Sequence, residues 1–170
     1  MVPGARVVDL TSRAEPPFVR LSPFYPHGAI PVPFSPGRLA MSVEGIWQGL
    51  KVFEHEDVDL RKLDIATMKG IKRSATRSRG RVLGHRRGTS GVELLGYREA
   101  RHAIYLPVYS WVLEKRVAEL VAELITMAEA GPLVLLDYET NGDVDDLSRP
   151  LSHAALVARW LQDGVVSQLA

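Results

Sequence analysis

The chain of 170 residues contains no cysteine. This absence excludes disulfide bonds, a thiolate nucleophile and a metal site built on cysteine. Long apolar runs are also missing, since runs such as residues 133–136 are far too short to cross a bilayer. The N-terminus lacks the charged start and apolar core of a signal peptide. We therefore expect a cytoplasmic protein with no membrane partner.

Motifs for metals and common cofactors are absent as well. The five histidines show no metal-binding spacing, so each is expected to be an ordinary surface or core residue. Neither a P-loop ending in Gly-Lys-Ser/Thr nor a G-x-S-x-G nucleophile elbow occurs. Residues 137–148 partly imitate a calcium-binding EF-hand loop, but Ser148 stands where a bidentate glutamate is required. We expect no metal and no cofactor.

The composition is that of one ordinary globular domain, with 46% hydrophobic and 24% charged residues. A net charge of +1 gives no global preference for nucleic acid or for membranes. Eight of the eleven prolines lie within the first 36 residues. Because proline does not fit helix interiors or central strands, the sequence predicts an extended or partly disordered arm over residues 1–20. The domain is then expected to occupy residues 21–170.

Hydrophobic periodicity and capping residues predict the secondary structure. Short strands are expected at residues 18–21, 29–32 and 133–138. Helices are expected at residues 42–54, 60–72 (one or two short ones), 105–128 and 151–162, with Gly131 and Gly164 as stops for the last two. Residues 140–143 are expected to form a turn.

The most informative stretch is the predicted helix that follows Ser42, a good N-cap residue. Glu44, Gln48 and Lys51 fall on one face of it, because residues i, i+4 and i+7 align at 3.6 residues per turn. A carboxylate fixed beside apolar rings and a cation is a candidate acid–base or ion-stabilising group. The alternative is an amphipathic helix whose polar face is solvated. Gly45 inside this helix, together with Gly49, suggests the close approach of another backbone or of a ligand.

Residues 69–91 form a basic segment that is rich in glycine and has no acidic residue. Arginine binds phosphate oxygens in bidentate fashion, and glycines let backbone N–H groups approach an anion. The segment therefore suggests a phosphate-bearing ligand or a nucleic-acid backbone, with a solvated flexible loop as the alternative. Its cations are Lys69, Lys72, Arg73, Arg77, Arg79, Arg81, Arg86 and Arg87.

Aromatic and acidic residues add further candidates. Phe24, Tyr25 and Trp47 are candidates for stacking on a planar ligand, although buried aromatics more often belong to the core. Asp137 follows a predicted buried strand, and Asp143 lies in the turn after it. Strand ends are common positions for functional carboxylates, so both remain candidates.

These pieces together resemble the NADAR superfamily of YbiA-like N-glycosidases over residues 20–163. Residues 21–26, LSPFYP, resemble the F-S-N-F-Y-P opening of that family. Residues 42–53 match its S-x-E-H-x-x-Q-x-x-K-F helix at the Glu, Gln and Lys positions, with Gly45 in place of the usual histidine. Residues 71–73 resemble its A-K-R-x-G-R region. Residues 137–143 occupy the place of its acidic and N-D-x-x-W-G closing segment, without the W-G pair.

The resemblance implies a compact, mainly helical α+β domain with short strands. It also implies cleavage of an N-glycosidic bond in a phosphorylated, nucleotide-like substrate, either ADP-ribosylated guanine or a riboflavin-pathway intermediate. The partner is then a phosphorylated ribosyl small molecule or an ADP-ribosylated nucleic acid, and the oligomeric state stays open. A non-catalytic module that binds ADP-ribose or nucleic acid is the alternative.

The resemblance assigns roles to the candidate residues. Glu44 would stabilise the oxocarbenium-like sugar or activate water. Lys51 would keep Glu44 ionised or contact a phosphate, and Gln48 would orient the ribose or the base. The remaining residues are expected to bind phosphate (Lys72, Arg73, Arg77 and Arg79), to stack on the base (Tyr25 and Trp47, with Phe24 beside them), or to contact ribose hydroxyls or supply a second carboxylate (Asp137 and Asp143). Asn141 is expected to bind the substrate.

Overall fold

The computed structural model describes residues 3–163 and has an α+β fold with short strands, as expected. Its strands are β1 (Arg6–Asp9), β2 (Ile30–Pro31), β3 (Leu39–Ala40), β4 (Lys51–Phe53), β5 (Val82–Arg86), β6 (Leu94–Leu95) and β7 (Leu133–Leu136). Its α-helices are α1 (Val43–Leu50), α2 (Tyr97–Ala100), α3 (Leu106–Lys115), α4 (Ala118–Ala130) and α5 (His153–Asp163). A π-helical segment, Arg101–Tyr105, links α2 to α3, and 3₁₀ helices occur at Phe18–Leu21 and Leu60–Asp64.

Residue contacts divide the chain into two units. The first combines residues up to Pro23 with those from Ser110 onward, and the second comprises Phe24–Tyr109. The boundary therefore falls inside α3 as well as near the end of the predicted N-terminal arm. Every helix of residues 3–163 is too short or too polar to span a membrane.

In the first unit, β1 and β7 form a parallel pair with Arg6 opposite Leu133. Part of the predicted arm is therefore a strand hydrogen-bonded in a sheet, and β7 lies inside the strand predicted at residues 133–138. The strand predicted at residues 18–21 is wrong, because these residues form a 3₁₀ helix.

The long helix predicted at residues 105–128 is interrupted in the structure. Val117 has φ −137° and ψ 25°, outside the helical region, and separates α3 from α4. Gly131 ends α4, as predicted. The prediction of a last helix is confirmed by α5, whereas its expected stop at Gly164 lies outside the described residues.

In the second unit, β5 is the central strand of a three-stranded antiparallel sheet in the order β4-β5-β6. His85 of β5 stands opposite Lys51 of β4 on one side and Leu95 of β6 on the other. Helix α1 runs directly into β4, since Lys51 has φ −66° and ψ 135°. The prediction that this helix continues to residue 54 is therefore wrong beyond Leu50.

The two glycines of α1 allow the 3₁₀ helix Leu60–Asp64 to pack closely against it. A Cβ atom at Gly45 would lie 2.7 Å from the carbonyl oxygen of Lys62. One at Gly49 would lie 3.2 Å from Cδ2 of Leu63. The expected close approach of another backbone is confirmed at Gly45, where any side chain would overlap a peptide oxygen.

Candidate active site

Helix α1 is buried along its whole length. Its N-terminus is capped by Ser42, whose hydroxyl accepts a 2.9 Å hydrogen bond from the backbone N–H of Gly45. Glu44 is only 8% exposed and Gln48 only 5%. A solvated polar face is therefore excluded for these two residues, and their polar atoms need partners inside the protein.

Glu44, Gln48 and Lys51 form one hydrogen-bonded chain. Nε2 of Gln48 donates to Oε1 of Glu44 over 2.7 Å. Nζ of Lys51 donates to Oε1 of Gln48 over 2.9 Å. The backbone N–H of Arg73 donates to the same Oε1 over 2.8 Å. The predicted alignment of a carboxylate, an amide and an ammonium is thus present, although Lys51 lies on β4 and not on the helix.

Lys51 is partly buried, and this burial is the main reason why the pKa of its ammonium is lowered. The nearby charge of Glu44 acts in the opposite direction, whereas the charges of Arg73 and Lys72 lower the pKa further. Nζ also lies 3.3 Å from the carbonyl oxygen of Arg73. A lysine whose pKa is lowered in this way is an acid–base candidate beside Glu44.

An aromatic cluster surrounds Trp47, which lies on the same helix as Glu44. The indole stacks on the imidazole of His85, with ring centroids 3.7 Å apart and an interplanar angle of 28°. Tyr105 meets the indole edge-on at 5.5 Å, and Tyr97 lies 5.9 Å away. Tyr105 comes from the π-helical segment, a local geometry that is frequent at functional sites.

His85 is the most unusual member of this cluster. It is 1% exposed, and neither Nδ1 nor Nε2 has a hydrogen-bond partner within residues 3–163. Burial, reinforced by the charges of Lys51 and Arg73, lowers its pKa to about 3, so the imidazole is neutral at physiological pH. Leaving a buried donor or acceptor unpaired costs about 1–3 kcal/mol for each group. Packing in the core therefore does not by itself explain a histidine at this position.

Arg73 is held by the protein itself. Its Nη1 donates to the carbonyl oxygens of Gln48 and Lys51 over 2.9 and 2.7 Å. Its Nη2 donates to the carbonyl oxygen of Asp57 over 2.7 Å and to Oε1 of Glu56 over 3.0 Å. These N–H groups are directed at protein acceptors, so the guanidinium ties α1, β4 and the following loop together. Arg73 is therefore assigned to the structure of the protein and not to phosphate binding.

Four other arginines of the basic segment also find counter-charges within the second unit. Most of these come from the short acidic stretch that follows β4, so the segment is less cationic than its sequence suggests. Their hydrogen bonds and charges also lower the pKa values of Glu54, Glu56 and Asp57. The ion pairs are Arg79–Glu56 at 2.6 Å, Arg81–Glu54 at 2.8 Å, Arg86–Asp57 at 2.9 Å and Arg87–Glu93 at 2.9 Å.

Of the residues predicted to bind phosphate, Lys72 and Arg77 are exposed. The ammonium of Lys72 lies 5.4 Å from the ring centroid of Phe24. Tyr25 is half-buried, and its ring lies 4.7 Å from that of His27. The LSPFYP opening therefore places an aromatic ring beside one candidate phosphate-binding cation.

The three candidates near the C-terminal end of the chain belong to the first unit. Asp137 is paired with His153, and its Oδ2 lies 3.0 Å from Nδ1. The side chain of Asn141 is used within its own loop, where Nδ2 donates to the carbonyl oxygens of Asp146 and Arg149. Asp143 is exposed. The candidate active site described here accordingly consists of residues of the second unit.

Metal-binding clusters are absent from the described part of the chain, where no group of three or more histidine, aspartate or glutamate side chains is placed to hold an ion. The site is instead defined by a buried carboxylate–amide–ammonium chain next to an aromatic cluster. Sequence reasoning missed His85, Tyr97 and Tyr105. None of them occurs in a recognisable motif. Strand pairing places His85 near Trp47, and α2 and the π-helical segment contribute Tyr97 and Tyr105.

The structure therefore defines an α+β protein with a buried polar chain on its first α-helix. Residues 1–157 match a family of unknown function (DUF6939), and the chain belongs to this family. No curated protein matches the chain.

Proposed function

We propose that the chain is a hydrolase that cleaves the N-glycosidic bond of a phosphorylated, nucleotide-like substrate. The observation that carries this proposal is the burial of the Glu44 carboxylate, which accepts a hydrogen bond from Gln48. The similarity of residues 42–53 to the NADAR helix supports it and suggests ADP-ribosylated guanine or a riboflavin-pathway intermediate as the substrate.

The chemistry needs a carboxylate at the anomeric carbon. As the bond to the base breaks, its electron pair leaves with the base and positive charge develops on the ribose ring. Glu44 stabilises this charge or takes a proton from the attacking water. The hydroxyl of the water adds to the anomeric carbon, and the remaining proton is delivered to the base. Lys51, linked to Glu44 through Gln48, supplies a positive charge near the carboxylate.

The remaining residues divide between the base and the phosphate groups. Trp47, on the same helix as Glu44, is one candidate for stacking on the base, and Tyr25 is the second. Of the residues predicted to bind phosphate, Lys72 and Arg77 are exposed, whereas Arg79 already pairs with Glu56. A phosphate would have to compete with that carboxylate for Arg79.

The test compares Glu44→Gln with the wild type for release of base from ADP-ribosylated guanine and from riboflavin intermediates. We expect kcat to fall by about 100-fold or more, because the variant cannot act as a base or carry the negative charge. Glu123→Gln on the exposed surface of α4 is the matched control and should leave the rate unchanged. Undiminished cleavage by Glu44→Gln would remove Glu44 from the mechanism.

A second candidate function is a non-catalytic module that binds ADP-ribose. The observation that favours it is the contact at Gly45, which leaves no space for the histidine that the NADAR pattern has at this position. Calorimetry with ADP-ribose, combined with the base-release assay, separates the two functions. Tight binding without turnover of any ribosylated base would support the binding module and oppose the hydrolase.

A further inference from the structure

Among the residues that the structure describes, neither ring nitrogen of the buried His85 has a hydrogen-bond partner. The large majority of buried polar side-chain atoms in folded proteins have a hydrogen-bond partner. Gln48, in the same region, uses both ends of its amide. An imidazole that the fold keeps 1% exposed and unpaired therefore points to a partner that comes from outside the chain.

The protonation state of His85 defines what this partner must offer. Burial and the charges of Lys51 and Arg73 hold its pKa at about 3. The neutral ring has one N–H donor and one lone-pair acceptor. A heterocyclic base carries ring nitrogens and carbonyl oxygens that can accept a hydrogen bond from this N–H. A phosphate group offers acceptors only, and the neighbouring cations serve it better.

His85 lies next to Lys51, a residue of the candidate active site. His85 stands directly opposite Lys51 in the antiparallel pair of β4 and β5, so both side chains project to the same face of the sheet. The stacked ring of Trp47 restricts rotation of the imidazole. The aromatic cluster reaches the surface at Tyr97, which is 40% exposed.

Building on the proposed N-glycosidase function, we propose that His85 contacts the heterocyclic base of the substrate and donates its N–H to that base as the glycosidic bond breaks. The electron pair of the broken bond is then spread over the ring nitrogens and carbonyl oxygen of the leaving base. The imidazole stabilises this charge by hydrogen bonding and keeps its own proton. The proton that the base finally carries comes from the attacking water.

The kinetic test uses two substitutions of His85 that remove different hydrogen-bonding atoms. His85→Phe keeps an aromatic ring against Trp47 and removes both hydrogen-bonding atoms, whereas His85→Gln retains an N–H donor. We expect kcat for base release to fall by about 100-fold in His85→Phe, the loss typical of one donor to a developing negative charge. His85→Gln should recover part of that loss. His55→Gln, an exposed histidine in the same unit, is the control.

Thermal unfolding of each variant separates a catalytic defect from a folding defect. If His85→Phe does not fold, the comparison rests on His85→Gln and on the wild type. A rate for folded His85→Phe within about threefold of the wild type would overturn the inference, since such a factor is under 1 kcal/mol. So would a crystal structure with guanosine bound in which both nitrogens of His85 contact only ordered water.

A binding measurement distinguishes failure of this inference from failure of the proposed function. In protein labelled with ¹⁵N-histidine, guanosine should shift the ring nitrogen signals of His85, and ribose phosphate, which has no base, should not. If the wild type releases no base but guanosine shifts these signals, the hydrolase is wrong and the base contact stands. Unchanged signals at saturating guanosine would overturn the base contact.

Discussion

The ammonium of Lys51 donates a 2.9 Å hydrogen bond to Oε1 of Gln48, although the two residues lie on different elements. Oε1 also accepts from the backbone N–H of Arg73. Because an amide has one acceptor end and one donor end, these two bonds direct Nε2 at Glu44. Gln48 thus fixes the direction of the chain that links the ammonium to the carboxylate.

Replacement of Gln48 by leucine should disrupt this chain. The variant leaves the carboxylate of Glu44 and the N–H of Arg73 each short of one hydrogen bond. We expect the free energy of unfolding to fall by about 1–3 kcal/mol, the cost of unpaired buried polar groups. Urea denaturation measures this change, and Gln162→Leu, at an exposed position of α5, is the control. Equal stability of the two variants would contradict the role given to Gln48.

Gly45→Ala tests the contact between α1 and the 3₁₀ helix Leu60–Asp64. An alanine normally stabilises a helix interior by about 1 kcal/mol relative to glycine. Here the added Cβ would lie 2.7 Å from a backbone oxygen, so we expect a destabilisation of about 1–3 kcal/mol. Thermal unfolding shows whether the substitution raises or lowers the stability. Gly131→Ala is the control, because nothing lies within 4 Å of its added Cβ. A stabilised Gly45→Ala would refute the contact.

The local parts of the site could be predicted from the sequence. Ser42 marks the start of α1, and helix periodicity places Glu44 and Gln48 on the same face, since both features depend on neighbouring residues alone. The end of the helix could not be predicted. The pattern of residues 51–53, a lysine followed by two apolar residues, fits a helix or a strand, and pairing with β5 decides between them.

The tertiary parts of the site could not be predicted. His85 reaches Trp47 only because β5 pairs with β4 in a register that joins residues far apart in the chain. The burial of Arg73 depends on carbonyl groups exposed where α1 gives way to β4. A basic segment looks the same in a sequence whether its arginines face a ligand or the protein's own carboxylates.

Arg73→Lys tests whether this arginine holds the fold together. A lysine keeps the positive charge and cannot bond the three carbonyl oxygens and the carboxylate that the guanidinium contacts. We expect the free energy of unfolding to fall by about 3 kcal/mol, since several buried acceptors lose their donor. Arg77→Lys, at an exposed position, should change it little. If Arg73→Lys weakened ligand binding without loss of stability, Arg73 would be a phosphate-binding residue, as the sequence predicts.

The pair formed by Asp137 and His153 makes the first unit sensitive to acid. The side chain of Asp137 is 6% exposed, and burial alone would raise its pKa. The hydrogen bond and charge of His153, the hydroxyl of Ser152 and the N–H of Tyr138 together outweigh burial, so the pKa falls to about 2. On its other side, Nε2 of His153 lies 2.6 Å from the carbonyl oxygen of Leu10, so the imidazole connects the strand end after β7 to the end of β1.

The sign of the resulting pH dependence follows from the lowered pKa of Asp137. Its stabilising effect is complete above 3.8, the ordinary value, and is lost as the pH falls towards about 2. The difference between the ordinary pKa of 3.8 and the value of about 2 in the folded protein corresponds to about 2 kcal/mol of unfolding free energy. Chemical denaturation between neutral pH and pH of about 2 should show this loss in the wild type and in exposed Asp143→Asn. Asp137→Asn should be less stable than the wild type at neutral pH. It should then lose less stability than the wild type when the pH is lowered. An unchanged acid dependence in Asp137→Asn would mean that other carboxylates cause it.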